Sequence, residues 1–375
     1  MNFDLTDEQR LLQDSIGKLL ADTYSFEQRR RYQVTPMGRD PSVWQVFAET
    51  GLAALPFSEA DGGIGGGSEE TMIVMEALGR ALSLEPFLPT VVIGGALLND
   101  LATPDQIAAL VPGIIGGRTI LAYAHEEPGA RYSEAIATTA HATRDGYVLN
   151  GAKARVLFAD SASILLVTAG IAGESAVFAV PADASGLSLH PYPTQDGMRA
   201  ADLTLKDVVI PPSARLGEGT ADARPALARA CDIAVAALCA EAVGIMQGLL
   251  DMTVDYLKTR KQFGRPIGDF QALQHRAAEM VVEIEQARSM ALYAAMMVRQ
   301  ADPVARARAL SAAKVQIGQS GRFVGQSAIQ LHGGIGMTAE YPAGAAFKRL
   351  TMIEKAFGDT DWHIERLASL GGALR

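Results

Sequence analysis

The sequence predicts an α+β protein whose helices and strands are segregated along the chain, and three observations carry that reading. Apolar residues recur at helical spacing through residues 1–118, short β-rich runs separated by Asp-Gly, Asn-Gly and Pro fill residues 119–218, and long helical patterns return over 219–375. Three domains are expected: an N-terminal α domain (1–118), a middle antiparallel β domain (119–218) and a C-terminal four-helix bundle (219–375). Because strands and helices do not alternate, a doubly wound parallel sheet is excluded.

Leu11, Leu12, Ile16, Leu19 and Leu20 predict the first helix, and Thr6 with Gln9 has the spacing of a capping box at its start. Met72, Met75, Ala77, Leu78 and Leu82 predict another. Between them, Glu59-Ala-Asp-Gly-Gly-Ile-Gly-Gly-Gly-Ser68 is rich in glycine, yet it fits neither dinucleotide nor phosphate-loop spacing and no strand precedes it. It reads as a flexible turn. Strands are expected at Tyr147–Leu149, Ile164–Val167, Ala176–Val180 and Asp202–Leu205. The last third predicts a helix ending near Tyr256, one over Phe270–Arg299, one over Val304–Gln330 and a final one before the C-terminus.

A chain of 375 residues can bury a substantial core in more than one domain. With 49% hydrophobic residues and a net charge of -9 it is expected to be soluble and cytoplasmic, without a basic footprint for nucleic acid. The opening residues lack the basic-then-apolar order of a secretory signal. The apolar run Ile233–Ala240, closed by Asp232 and Glu241, falls far short of the roughly 20 residues that cross a bilayer, so no membrane span is expected. Cys231 and Cys239, if on one helix, lie roughly 12 Å apart, too far for a disulfide. The six histidines have no HxxxH or CxxC companion, so no protein-bound metal is expected.

Two motifs carry chemistry. In Tyr256-Leu-Lys-Thr-Arg-Lys-Gln-Phe-Gly-Arg-Pro-Ile-Gly-Asp-Phe-Gln-Ala-Leu-Gln-His275, Arg260 offers a planar fork of donors suited to a pyrophosphate. Gln262 and Phe263 add an amide and a flat apolar face for an adenine or ribose. A helix-turn-helix with an exposed basic C-cap has the same pattern. In Gln330-Leu-His-Gly-Gly-Ile-Gly-Met337, Gly333 and Gly334 let a backbone approach a dinucleotide closely, or else simply cap a helix.

Together with Trp44 to Ala81, the Glu127-Pro-Gly-Ala130 turn, Asn150-Gly151 and Asp207-Val-Val-Ile-Pro211, these motifs resemble the acyl-CoA dehydrogenase family over the whole length of the chain. The resemblance implies that family's fold and a tetramer with FAD at an interface, its adenine and pyrophosphate end held by a neighbouring subunit. Arg260, Gln262, Phe263, Gln330, Gly333 and Gly334 match those positions, and Tyr123 and His125 are carried over as flavin contacts from the middle domain. The implied reaction removes an α proton from an acyl-CoA thioester with a carboxylate base while the β hydride passes to the flavin, giving an enoyl-CoA. Donors aimed at the thioester oxygen are needed to stabilise the developing enolate. An electron-transfer flavoprotein is the implied electron acceptor.

The sequence departs from that pattern at the chemistry. The two positions where the family places its base fall on Phe357 and Ala234. In the turn His125-Glu126-Glu-Pro-Gly-Ala-Arg131-Tyr132, Glu126 stands where a hydroxyl donor belongs, and Arg155 and Leu157 replace the Trp and Thr that line the isoalloxazine. One reading makes this chain the base-deficient half of an α2β2 complex with a second dehydrogenase subunit. Another makes it a homotetramer whose base is Glu241, about two helical turns from Ala234, where burial would raise a carboxyl pKa; a buried glutamate paired to an arginine fits the same sequence. A non-catalytic subunit that completes the FAD site, and a flavin oxidase or monooxygenase, are further readings. Arg131, Arg155 and Arg199 either hold a substrate carboxylate or are solvated.

Overall fold

A computed structural model describes residues 5–133, 135–217 and 222–372 of the chain. The N-terminal helices are α1 (Asp7–Thr23), α2 (Phe26–Gln33), α3 (Pro41–Glu49), α4 (Ser68–Arg80), α5 (Gly95–Leu101) and α6 (Pro104–Ile115), with a buried π-helical segment, Leu88–Gly94, before α5. Their starts are written in side chains. Thr6 accepts from the Gln9 amide N–H while the Gln9 side chain reaches back, and Thr103 and Gln106 repeat the arrangement at α6. Asp40 caps α3 ahead of Pro41.

Among the described residues a sheet of seven strands follows: β1 (Leu121–Ala124), β2 (Thr139–Thr143), β3 (Gly146–Leu157), β4 (Ile164–Ile171), β5 (Glu174–Pro181), β6 (Leu187–Pro193) and β7 (Arg199–Ile210). The pairs β2–β3, β3–β7, β6–β7 and β4–β5 are antiparallel, whereas β1 and the first residue of β2, Thr139, join β4 in parallel. The sheet is therefore mixed where the sequence suggested antiparallel pairing throughout, because runs of β-formers report strands and not their partners. Leu149, Val156, Leu165, Val167, Phe178, Leu203, Leu205 and Val208 form its core. Along β3 the inside-outside alternation breaks between Lys153 and Val156, where the register against β7 shifts; Arg155 sits in this bulge at φ 55° and points out.

The C-terminal third is α7 (Arg224–Thr259), the hairpin β8 (Lys261–Gln262) and β9 (Arg265–Pro266), α8 (Gln271–Met297), α9 (Pro303–His332), α10 (Pro342–Lys355) and α11 (Thr360–Ser369). The expected final helix is two. Phe357 and Gly358 take φ values of 55° and 105°, which no right-handed helix can pass through, and Asp359 recaps the chain as α11. By length and composition α7 could cross a membrane, a property that a count of uninterrupted apolar residues misses, but most of its apolar window is buried inside the chain. Cys231 and Cys239 both lie on it as free thiols.

The chain divides into two compact units. One contains Met1–Arg31, Ser68–Ser83 and Val235–Arg375; the other contains Tyr32–Gly67 and Leu84–Ala234. The N-terminal helices are thus shared out, since helical periodicity records that a face is buried but not what buries it. In the first unit α4 and α7 cross with their backbones touching: a Cβ on Gly244 would lie 1.9 Å from the Glu76 carbonyl oxygen, and one on Gly79 would lie 2.1 Å from that of Glu241.

Candidate functional site

The first unit brings the two sequence motifs together. At the end of α7 the chain turns back through β8 and β9, closed by the Ile267 N–H donating to the Arg260 carbonyl at 2.8 Å. Phe263 and Gly264 form the tip at φ 54° and 80°. A two-residue hairpin with both tip residues left-handed matches strand twist, but a phenylalanine pays for that conformation in strain. Phe263 is 89% exposed, its ring meeting Phe270 edge-on with centres 6.1 Å apart, while the Arg265 guanidinium covers Phe270 at 4.2 Å. Arg260 and Gln262 are exposed beside it.

Next to this hairpin α9 ends. The Tyr256 ring lies 4.8 Å from His332, whose Nδ1 donates to the Ala328 carbonyl at 2.8 Å and whose Nε2 is 3.0 Å from the Tyr341 hydroxyl. Burial lowers the His332 pKa below the ordinary imidazole value. Gly333 then turns at φ 59° and caps the helix, so the capping reading holds; yet Gly333, Gly334 and Gln330 are all exposed, and nothing lies within 4 Å of where a Cβ on either glycine would be. An exposed guanidinium, an amide, an aromatic face and a bare stretch of backbone suit the adenosine diphosphate end of a dinucleotide.

In the second unit the middle sheet holds a buried polar network. Lys153, fully buried, donates to Glu127 Oε1 at 2.8 Å, to Thr168 Oγ1 at 3.0 Å and to the His125 carbonyl at 3.3 Å. Burial lowers the Lys153 pKa to about 8. Burial pushes the Glu127 carboxyl up, but donors from Lys153, Thr138 and Ala137 outweigh it and hold the pKa at about 2. His125 stacks on Tyr123 with ring centres 5.3 Å apart and its Nδ1 meets Thr168 Oγ1 at 3.2 Å; burial, then the Lys153 charge, lowers its pKa to about 4. Tyr123 is 4.0 Å from Cys231 Sγ, and its pKa is raised by burial. This network fixes the turn from His125 onwards, and it was legible only as single residues.

The departures from the family pattern also pair up. Arg155 Nε and Nη2 both donate to Glu126 Oε2, at 2.8 and 2.6 Å. Arg199 pairs with Asp160, and the Arg131 guanidinium lies over the Tyr132 ring at 5.1 Å, so each of the three arginines considered for a substrate carboxylate already has an intramolecular partner. The ring-facing positions of this sheet therefore do not fit an isoalloxazine as the adenine-side residues fit the other end.

Neither family position for the base carries a carboxylate. Glu241 is buried, and Arg349 Nε and Nη2 donate to its Oε1 and Oε2 at 2.5 and 2.8 Å, the geometry of a structural ion pair. Ala234 is buried on the same helix. Phe357 lies in the left-handed turn after α10, whose carbonyls are held from below: Lys314 Nζ donates to Glu354, Ala356 and Gly358 at 3.1, 2.9 and 2.7 Å, and His363 Nε2 is 3.1 Å from the Phe357 carbonyl. Among the described residues no three His, Cys, Asp or Glu side chains converge as metal ligands.

The chain matches the acyl-CoA dehydrogenase N-terminal, middle and C-terminal domain families over residues 6–118, 122–208 and 228–370. It is 30% identical to a probable acyl-CoA dehydrogenase, YngJ, of Bacillus subtilis (strain 168), covering 98% of each chain. Among solved structures it is similar to the Tcur3481-Tcur3483 steroid ACAD, with 32% identity, a TM-score of 0.88 and 97% of each chain covered. The ChsE4-ChsE5 complex from Mycobacterium tuberculosis shares the fold at 23% identity, with a TM-score of 0.89 over 98% of each chain. The chain belongs to the acyl-CoA dehydrogenase family, an FAD-dependent oxidoreductase fold of N-terminal helical, middle β and C-terminal helical domains.

Proposed function

We propose that this chain is the base-deficient half of a two-chain, α2β2 acyl-CoA dehydrogenase. It grips the adenine and pyrophosphate end of an FAD whose ring lies with the catalytic carboxylate on a partner dehydrogenase subunit, and the complex converts an acyl-CoA thioester to its enoyl-CoA. A bound flavin would supply the hydride acceptor, with an electron-transfer flavoprotein as the onward acceptor. The observation that carries this is one-sidedness. Arg260, Gln262, Phe263, Gly333 and Gly334 are exposed and suited to the nucleotide end, whereas Glu126 and Arg155 are bonded to each other and Phe357 and Ala234 carry no titratable group. The similar Tcur3481-Tcur3483 steroid ACAD carries a paired name, which supports a two-chain assembly.

The self-sufficient reading needs Glu241 as base, and the Arg349 pair speaks against it because both carboxylate oxygens are engaged. Leu238-Cys-Ala-Glu-Ala-Val-Gly244 and Phe357-Gly-Asp359 are similar to the small subunit of pimeloyl-CoA dehydrogenase, which favours a small-subunit role. A cytoplasmic location follows the acidic composition. The test is to purify the chain alone and co-expressed with a dehydrogenase encoded beside it, then measure native mass, flavin absorbance and turnover. Turnover and flavin only in the co-purified complex are expected; one FAD per chain and full turnover from the chain alone would refute the proposal.

A further inference from the structure

We infer that the Glu126–Arg155 pair is a built exclusion device, closing the middle sheet of this chain to a flavin ring. The inference rests on the half-complex reading above and names the residues that enforce it.

The pair is held from several sides. The Glu126 carbonyl accepts from the Ala154 N–H at 2.8 Å, which ties the turn to β3 within the bulge. The bulge presents Arg155, whose own N–H donates to Asp202 Oδ1 on β7 at 2.9 Å. The Tyr192 hydroxyl on β6 donates to that same Asp202 oxygen at 2.9 Å. Two guanidinium N–H groups then converge on Glu126 Oε2. Three strands and a turn therefore fix one charge pair, which is more than a chance surface contact requires.

The chemistry of the pair opposes a flavin. A ring laid on these residues must strip water from two charges that still have it: the side chains are 54% and 35% exposed. Removing that water costs more than the covered ion pair returns, as for buried pairs generally. The carboxylate also offers only acceptors, where the ring edge with its carbonyl oxygens and unprotonated nitrogen needs a donor. Neither charge can leave alone without stranding the other. Arg155 without Glu126 would lose the carboxylate oxygen that accepts from two of its guanidinium N–H groups, and Glu126 without Arg155 would lose both donors to its Oε2.

The test replaces both charges at once, so that none is orphaned. The full chain as wild type and as the double variant Glu126→Thr, Arg155→Trp is titrated with FAD. Flavin retained per folded chain is measured by absorbance after ultrafiltration, and ring burial is read from quenching of flavin fluorescence and structure in its visible band. A thermal melt confirms that both chains fold. ADP is titrated in parallel as a probe that lacks the ring. The wild type is expected to bind ADP but to retain no FAD through ultrafiltration, and the double variant to gain retained, ring-buried flavin by about tenfold or more at unchanged ADP affinity. A wild-type chain that already buries one flavin ring per chain overturns the inference, as does a folded double variant with no gain. Turnover by the isolated wild type sinks the half-complex reading instead, so the two failures are told apart.

Discussion

Lys314 sits in the middle of α9, where no sequence pattern marks it, and yet its ammonium is buried with three backbone carbonyls as acceptors. It terminates α10 from the side and stabilises a turn in which a phenylalanine holds a left-handed backbone. Replacing it by methionine leaves those carbonyls buried without donors, each worth about 1–3 kcal/mol, offset in part by no longer burying a charge. Lys314→Met is therefore expected to lower stability by about 3 kcal/mol, checked by urea denaturation. Glu241 makes the complementary case. Glu241→Gln leaves the buried Arg349 guanidinium without its carboxylate, so a loss of about 3–5 kcal/mol is expected, with turnover per folded complex retained. Abolished turnover in a complex of unchanged stability would reverse the assignment and make Glu241 the base.

At the scale of elements, the β8–β9 hairpin and the α4–α7 crossing separate function from stability. Phe263 is almost wholly exposed, so Phe263→Ala removes little packing and leaves a Cβ in the same left-handed backbone at φ 54°. Its expected effect is weaker FAD retention by the complex, about tenfold if the ring stacks on a base, with the melting temperature unchanged. Gly244 is the opposite kind of residue: a methyl group there meets the Glu76 carbonyl oxygen at 1.9 Å, and the helices must part. Gly244→Ala is expected to destabilise by about 1–3 kcal/mol, the usual range for overpacking, measured by the shift in denaturation midpoint at constant slope. The sequence marked Phe263 within a motif and left Gly244 as one residue of a long helical pattern. Only the crossing distance says that Gly244 is there for close approach.

For the molecule as a whole, buried titratable groups set a direction for stability against pH. His363, fully buried and against Lys314, has its pKa lowered by burial from 6.5 to about 3, and His125 is lowered to about 4. The unfolded chain binds protons at these groups from about pH 6.5 downwards while the folded chain refuses them. Their stabilisation is thus complete above that pH and lost on acidification towards 3 to 4, at up to about 1.4 kcal/mol per pH unit for each histidine. Glu127, with a folded pKa of about 2 against 4.5, adds a loss of the same sign between those values. Lys153 and Lys314, lowered by burial to about 8, extend the trend upwards, since the folded state releases their protons before the unfolded state does. Denaturation midpoints that fall steadily from pH 7 to pH 4 are expected, and a flat profile would reject the assignment of neutral buried histidines.

The succession of α, β and α texture, the cap at Thr6, and the Arg260 and Gly333 motifs are local facts, and the sequence by itself determined them together with the family. Periodicity and capping need only a few neighbouring residues to be expressed. What only the tertiary structure decided is pairing: that β1 joins β4 in parallel, that α4 packs with the C-terminal helices, that Glu241 faces Arg349, and that Glu126 and Arg155 bond across 29 positions. Each of these joins residues far apart in the chain, whose attraction depends on geometry that neither residue specifies alone. A lone glutamate in a helix reads equally as base or brace until the side chain opposite it is known.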